Sequence, residues 1–225
     1  MFDPDGPTFW ELARQALSST EHGYDLLAPK YDVTPFRTPD AVLNRARAYI
    51  REHLEPGRLL DLCCGTGAVL ETLDYGHAVG LDWSRGMLDA ARKNAPSATY
   101  VRADVLWPPF VGAFDLVTCF SALGHILPAD EERFVRAVTS CLRPGGHFVF
   151  VTSRMPSMWS RSYWVSRGFN AAMHVRNALW SPPFVMYYLT FLLPEATKHL
   201  EDAGFEVRVV DEMFERLVLV DASLD

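Results

Sequence analysis

A chain of 225 residues with 49% hydrophobic and 22% charged residues suits one buried core and lies far from the composition of a disordered chain. Its formal net charge of -7 excludes a general nucleic-acid binder, which needs a basic face to replace phosphate counterions. Cys63, Cys64, Cys119 and Cys141 fall in or beside apolar runs without C-x-x-C spacing, and no signal-peptide pattern precedes them, so they read as reduced core thiols of a cytoplasmic protein.

The first 55 residues read as helix, loop, helix: Thr8 to Ser18 is helical in pattern, Tyr24 to Pro39 is broken by prolines, and Pro39 to Leu54 is helical again. From Pro56 to residue 152 short apolar runs alternate with amphipathic stretches, the pattern of βαβ units. Strands are predicted at Arg58 to Cys63, Ala78 to Leu81, Thr99 to Arg102, Phe114 to Phe120 and His147 to Thr152, with helices at Ala68 to Leu73, Arg85 to Asn94 and Asp130 to Cys141. Right-handed crossovers make those five strands parallel.

The segment 153–194 does not belong to this repeat. Its uncharged run from Asn177 to Pro194 contains Pro182 and Pro183 and is too short to span a bilayer, so no transmembrane helix is predicted. In 195–225 a helix ends at Ala203, Gly204 caps it, and strands at Phe205 to Asp211 and Glu215 to Asp221 form a hairpin.

The strongest motif is Leu59-Leu60-Asp61-Leu62-Cys63-Cys64-Gly65-Thr66-Gly67, a buried strand running into a glycine turn ahead of a helix. Glycines there let backbone N–H groups approach a ligand at a helix start. Leu70 stands where a dinucleotide fingerprint has its third glycine, which argues against NAD. Asp82 ends the second strand, where a carboxylate accepts hydrogen bonds from ribose hydroxyls; Asp104, after the third, can hold an adenine amino group beside apolar Val105.

With these acids, Phe114-Asp115-Leu116-Val117 and Leu142-Arg143-Pro144-Gly145-Gly146, the chain resembles the class I S-adenosylmethionine-dependent methyltransferases over nearly all of residues 20–221. Tyr24-Asp25-Leu26-Leu27-Ala28-Pro29-Lys30-Tyr31-Asp32 is similar to the Y-D-x-x-A-x-x-Y-D signature of their small-molecule and quinone/lipid branch. The resemblance implies a Rossmann-like α/β fold with a seven-stranded mixed sheet in the order 3-2-1-4-5-7-6, helices on both faces and a helical lid. It implies S-adenosyl-L-methionine as cofactor and S-adenosyl-L-homocysteine as product. It also implies Tyr31 near the cofactor's amino-acid end, Asp61, Cys63, Gly65 and Gly67 against the methionine portion and sugar, and Asp82 on the ribose. Trp83 and Met87 would meet the adenine edge, Asp104 and Val105 the adenine itself, and Ser121 the methyl-donor side.

Methyl transfer from a sulfonium is an in-line displacement, so positioning carries most of the catalysis and a base is needed only where the acceptor must lose a proton. His125, just past the fourth strand where open α/β sheets place ligands, is the candidate base and a candidate pocket residue. The other histidines show no metal spacing, and no metal is expected.

Segment 153–194 holds nine aromatic residues and four arginines, Arg154, Arg161, Arg167 and Arg176, with no Asp or Glu. That composition predicts a substrate lid for a hydrophobic, anionic small molecule, with Arg154, Trp159, Arg161 and Tyr187 as candidate contacts. It equally suits contact with an anionic membrane surface, a homodimer interface, or packing on the sheet. The expected function is methyl transfer to O, N or C of such a molecule; non-catalytic binding of S-adenosylmethionine by a sensor or partner subunit is the alternative.

Overall fold

Leu59, Leu60 and Leu62 in β1 (Arg58–Leu62) are wholly buried, which requires cover on both sides of the strand. The computed structural model, which describes residues 5–55, 57–73, 75, 77–213 and 217–224, supplies it with helices on each face of the sheet. The strands are β1, β2 (His77–Asp82), β3 (Thr99–Arg102), β4 (Phe114–Cys119), β5 (Leu142–Ser153), β6 (Phe205–Met213) and β7 (Leu217–Leu224). Their order is β3-β2-β1-β4-β5-β7-β6, as expected. The first five run parallel, and β7 is antiparallel to both of its neighbours.

On one face α3 (Asp40–His53), α4 (Ala68–Leu73) and α5 (Arg85–Asn94) bury Val42, Ile50, Leu70 and Leu88. On the other α6 (Glu131–Cys141) and α8 (Leu193–Asp202) bury Phe134, Val138, Ala196 and Leu200 against Phe148 and Phe150. Each such large side chain contributes about 1.5–3 kcal/mol by leaving water. Cys64, Cys119 and Cys141 lie in these layers; Cys63 is half-buried at the end of β1. β5 begins five residues earlier than the predicted His147, because Leu142 pairs with Phe114 before the register shifts at Phe114/Leu116. The predicted start of the last strand, Glu215, lies outside the described residues.

The N-terminal region departs from expectation. After α1 (Phe9–Ala16), α2 (Thr20–Leu27) occupies part of the stretch predicted as a proline-broken loop. Ser19 caps it by accepting the His22 N–H at 3.1 Å, and Pro29 falls in the first turn of the following 3-10 segment, Ala28–Val33. A proline there loses no helical hydrogen bond. Segment 153–194 contains α7 (Arg161–Leu179), which leads to an irregular stretch returning beside α2.

Candidate functional site

A cavity of about 320 Å³ lies beyond the carboxyl ends of β1 to β4, within the range of small-molecule sites. Glycines shape its floor. Gly65 has φ +53°, a left-handed conformation, and a Cβ added there would meet nothing within 4 Å. The open space above Gly65 is the cavity. A Cβ added at Gly67, which has φ +86°, would stand 3.2 Å from Ala91 Cβ of α5, so its missing side chain permits close helix packing.

Tyr31, Cys63, Gly65, Asp82, Trp83 and Met87 line this cavity with Asp104, Val105, Ser121 and His125. The chain thus brings together nearly all of the predicted cofactor residues. Gly67 stays beneath the loop. Asp61 opens instead into a small adjoining pocket shared with Tyr31, Arg37, Thr38, Cys63 and Gly65.

Asp82 is held by accepting the N–H groups of Gly65 at 2.9 Å and Ser84 at 2.8 Å. Burial raises its pKa even though these N–H groups favour the carboxylate. Asp104 accepts the Leu106 N–H at 2.9 Å, which turns the chain after β3. Ser121 has φ +56° and accepts a hydrogen bond from Thr38 Oγ1 at 2.8 Å.

Asp61 is 1% exposed. Thr118 donates to its Oδ1 at 2.7 Å, whereas Oδ2 is the buried side-chain oxygen left without a partner among the described residues. Burial pushes its pKa up from 3.8 to about 7, partly opposed by the Thr118 bond. Such an oxygen is completed by a cationic donor. Arg37, paired with Asp40 at 2.6 Å, faces the same pocket and offers a cation.

These features fit S-adenosylmethionine. Asp61 would receive the amino group, Arg37 the carboxylate, the Gly65 turn the methionine stem, Asp82 the ribose, and Met87, Trp83 and Asp104 the adenine. Arg37 was not singled out from sequence, since it sits in a stretch without periodicity that would aim it inward.

The Tyr-Asp pairs of the N-terminal signature divide the work. Asp25 accepts hydrogen bonds from Ser84 Oγ at 2.6 Å and Gly86 N at 2.8 Å, tying α2 to the start of α5. Asp32 accepts from Thr66 Oγ1 at 2.6 Å, fastening the same segment to the glycine turn. Tyr24 and Tyr31, each directly before one of these anchors, line the cavity.

Tyr24 is the second residue that sequence reading missed. Its hydroxyl lies 2.8 Å from His125 Nε2, and Nδ1 of the same ring bonds the Val185 carbonyl. A carbonyl only accepts, so Nδ1 carries the hydrogen and Nε2 presents a lone pair to the tyrosine. Burial lowers the His125 pKa, against the Val185 bond, which keeps the ring neutral at pH 7. Burial likewise raises the pKa of Tyr24 and keeps its hydroxyl protonated.

Of segment 153–194, Val185 lines the cavity. Arg154, Trp159 and Arg161 do not; Trp159 is 94% exposed and Arg161 begins α7 at the surface. Tyr187 is buried with Met173 and Phe184 and accepts a hydrogen bond from Asn177 at 3.0 Å, so it packs the segment together. Among the described residues the cavity lining has no Lys or Arg, and the expectation of an anionic acceptor finds no cation there.

Residues 59–146 match the methyltransferase domain family. A ubiquinone biosynthesis O-methyltransferase of Marinobacter nauticus is 31% identical over 199 residues, 82% of this chain and 76% of that protein. An uncharacterized methyltransferase of Synechocystis sp. is 41% identical over 110 residues, 47% of this chain; the match spans about half, 52%, of that relative's length. Among solved structures, magnesium protoporphyrin IX methyltransferase of Synechocystis PCC 6803 with bound S-adenosylhomocysteine superposes with a TM-score of 0.63 at 14% identity, covering 96% of this chain and all of that one (100%). That likeness concerns the fold.

Proposed function

The chain belongs to the S-adenosylmethionine-dependent methyltransferases, and on that premise we propose that it methylates a hydroxyl oxygen of an apolar small molecule. The Tyr24–His125 pair at the cavity wall carries this reading. An amine attacks as it stands, whereas a hydroxyl must shed a proton, and a neutral imidazole behind a tyrosine hydroxyl is equipped to take one.

When bound, S-adenosylmethionine supplies a methyl group already activated on its sulfonium. The chain's share is to orient and to manage the proton. Ile126, Leu127, Ala122 and Phe120 give the acceptor an apolar wall and exclude water. The acceptor's hydroxyl proton passes to Tyr24 Oη as the Tyr24 proton passes to His125 Nε2. The Val185 carbonyl, bonded to Nδ1–H, steadies the imidazolium that forms, and the proton then leaves to water.

The exposed surface of α7 is where an anionic membrane or a second copy of the chain would meet the protein. No helix among the described residues is long and apolar enough to cross a membrane.

The test is a titration with S-adenosylhomocysteine followed by a panel of apolar phenols and amines with methyl-labelled cofactor. Labelled phenol ethers support the reading. Methylation confined to amines overturns the hydroxyl acceptor, and binding without turnover on the whole panel returns the chain to the non-catalytic alternative.

A further inference from the structure

α7 is built inside out. A surface helix normally turns its apolar stripe to the core and its polar face to water. Here the inward face carries Asn170, Asn177 and Arg176. Asn170 accepts the Tyr188 N–H at 2.7 Å, Asn177 accepts the Phe184 N–H at 3.0 Å, and Arg176 donates to Ala16 O at 2.9 Å and to Pro182 O at 2.7 Å. Met173, buried with Phe184 and Tyr187, and partly buried Phe169 supply the apolar contacts of that face.

The outward face is apolar. Trp164 (66% exposed), Val165, Val175 and Leu179 (70% exposed) recur at helical spacing, with exposed Gly168, Ala171 and Ala172 between them. Trp159 and Trp180 stand exposed just before and after the helix, and Leu17, directly after α1, is exposed beside the Arg176 contact with Ala16 O. The sequence from 153 to 194 has four arginines and no Asp or Glu, a formal charge of +4 in a chain of net charge -7, and α7 itself carries Arg161 and Arg167 at the surface.

We propose that the outward face of α7 is a docking surface for an anionic lipid bilayer. Charge complementarity selects this occupant: two copies meeting through α7 would press arginine-bearing, carboxylate-free surfaces together, whereas lipid phosphates match them. Indole rings sit at the headgroup level, aliphatic side chains enter the acyl boundary, and arginines reach back to phosphates from a helix lying in the plane. Behind the docked helix, the segment it holds delivers the Val185 carbonyl to His125, so an apolar acceptor dissolved in the bilayer would meet the protein next to its cavity. The surface stands on its own residues; only that route rests on the proposed reaction.

The experiment is cosedimentation of the full chain with phosphatidylcholine vesicles, with and without phosphatidylglycerol. The chain is expected to sediment with the phosphatidylglycerol vesicles and to be released by added salt. The pair Trp164→Glu and Val175→Glu, and separately the pair Arg161→Glu and Arg167→Glu, should each lower partitioning by roughly tenfold or more. Retained S-adenosylhomocysteine binding shows that the variants are folded, and because sedimentation needs no turnover, an inactive chain that still sediments would sink the reaction and leave the surface standing. Absence of sedimentation with either vesicle, or sedimentation unchanged in both variants, overturns the proposal. So does a dimer by light scattering that both variants split while neither vesicle is bound, an outcome that assigns the face to a second copy.

Discussion

The Tyr24 hydroxyl and His125 Nε2 stand 2.8 Å apart, and the Val185 carbonyl on the far side of the ring decides which of the two gives the hydrogen. Tyr24→Phe is therefore expected to slow methylation of hydroxyl acceptors by roughly 10²–10⁴-fold, the usual worth of a positioned proton acceptor, with S-adenosylhomocysteine affinity unchanged. His125→Asn should do the same. Ring nitrogen NMR should show the Nδ1–H tautomer in the parent chain. Because burial depresses the His125 pKa below 6.5, its neutral ring stabilises the fold above the ordinary histidine range, and that stability is lost as pH falls. Melting curves of His125→Asn should show a weaker fall in acid. An Nε2–H tautomer, or full activity in Tyr24→Phe, would remove the relay.

Asp61 makes the opposite prediction with pH. Its pKa is raised from 3.8 to about 7, so the folded chain holds this proton more tightly than the unfolded one. The associated stability is fully present below the ordinary value, declines as pH rises, and is gone above about 7. Asp61→Asn, uncharged throughout, should melt higher than the parent above neutrality and converge with it in acid. The same change removes the partner for a cofactor ammonium and should weaken S-adenosylmethionine binding by roughly 10- to 100-fold. A variant that binds as tightly as the parent would place the amino group elsewhere.

Much of this was legible before the fold. Alternating apolar runs located α4, α5 and β3 to the residue, because strands buried on both faces and helices covering them leave strong periodic signals. The residues gathered around the cavity were legible because glycines and acids at strand ends follow a recognisable pattern. Tyr24 was not: its value depends on a histidine far along the chain and on Val185, which no local pattern joins. α7 misled for a physical reason. Aromatics and arginines predict a lining when they face inward, but here Asn170, Asn177 and Arg176 took the inner face by satisfying backbone groups of the returning chain and, for Arg176, of Ser18 as well.

Asp82 offers a direct measure of the cofactor site. Asp82→Ala removes the carboxylate expected to accept both ribose hydroxyls and strips the Gly65 and Ser84 N–H groups of their acceptor. Calorimetric titration with S-adenosylhomocysteine should show affinity lowered by roughly 10- to 100-fold, as for a lost hydrogen bond to a charged group. The melting temperature should fall as well, since two backbone donors lose their partner. Unchanged affinity would move the ribose away from Asp82.

Gly124 braces the stretch of chain that carries the Val185 carbonyl. Its carbonyl accepts the Tyr187 N–H at 2.8 Å, and a Cβ added there would stand 2.8 Å from the Tyr187 carbonyl oxygen. That neighbour is backbone and cannot swing away as a flexible side chain would, so Gly124→Ala must push the 183–187 stretch outward. The Val185 carbonyl moves with it, while Asp82, Asp61 and the glycine turn are untouched. Overpacking of this kind costs about 1–3 kcal/mol. The expected result is a lower melting temperature and slower turnover with S-adenosylhomocysteine affinity preserved. Loss of cofactor binding would mean that the displacement reaches Asp82 or the glycine turn, and a variant matching the parent in melting and turnover would show that the 183–187 stretch yields without carrying His125 along.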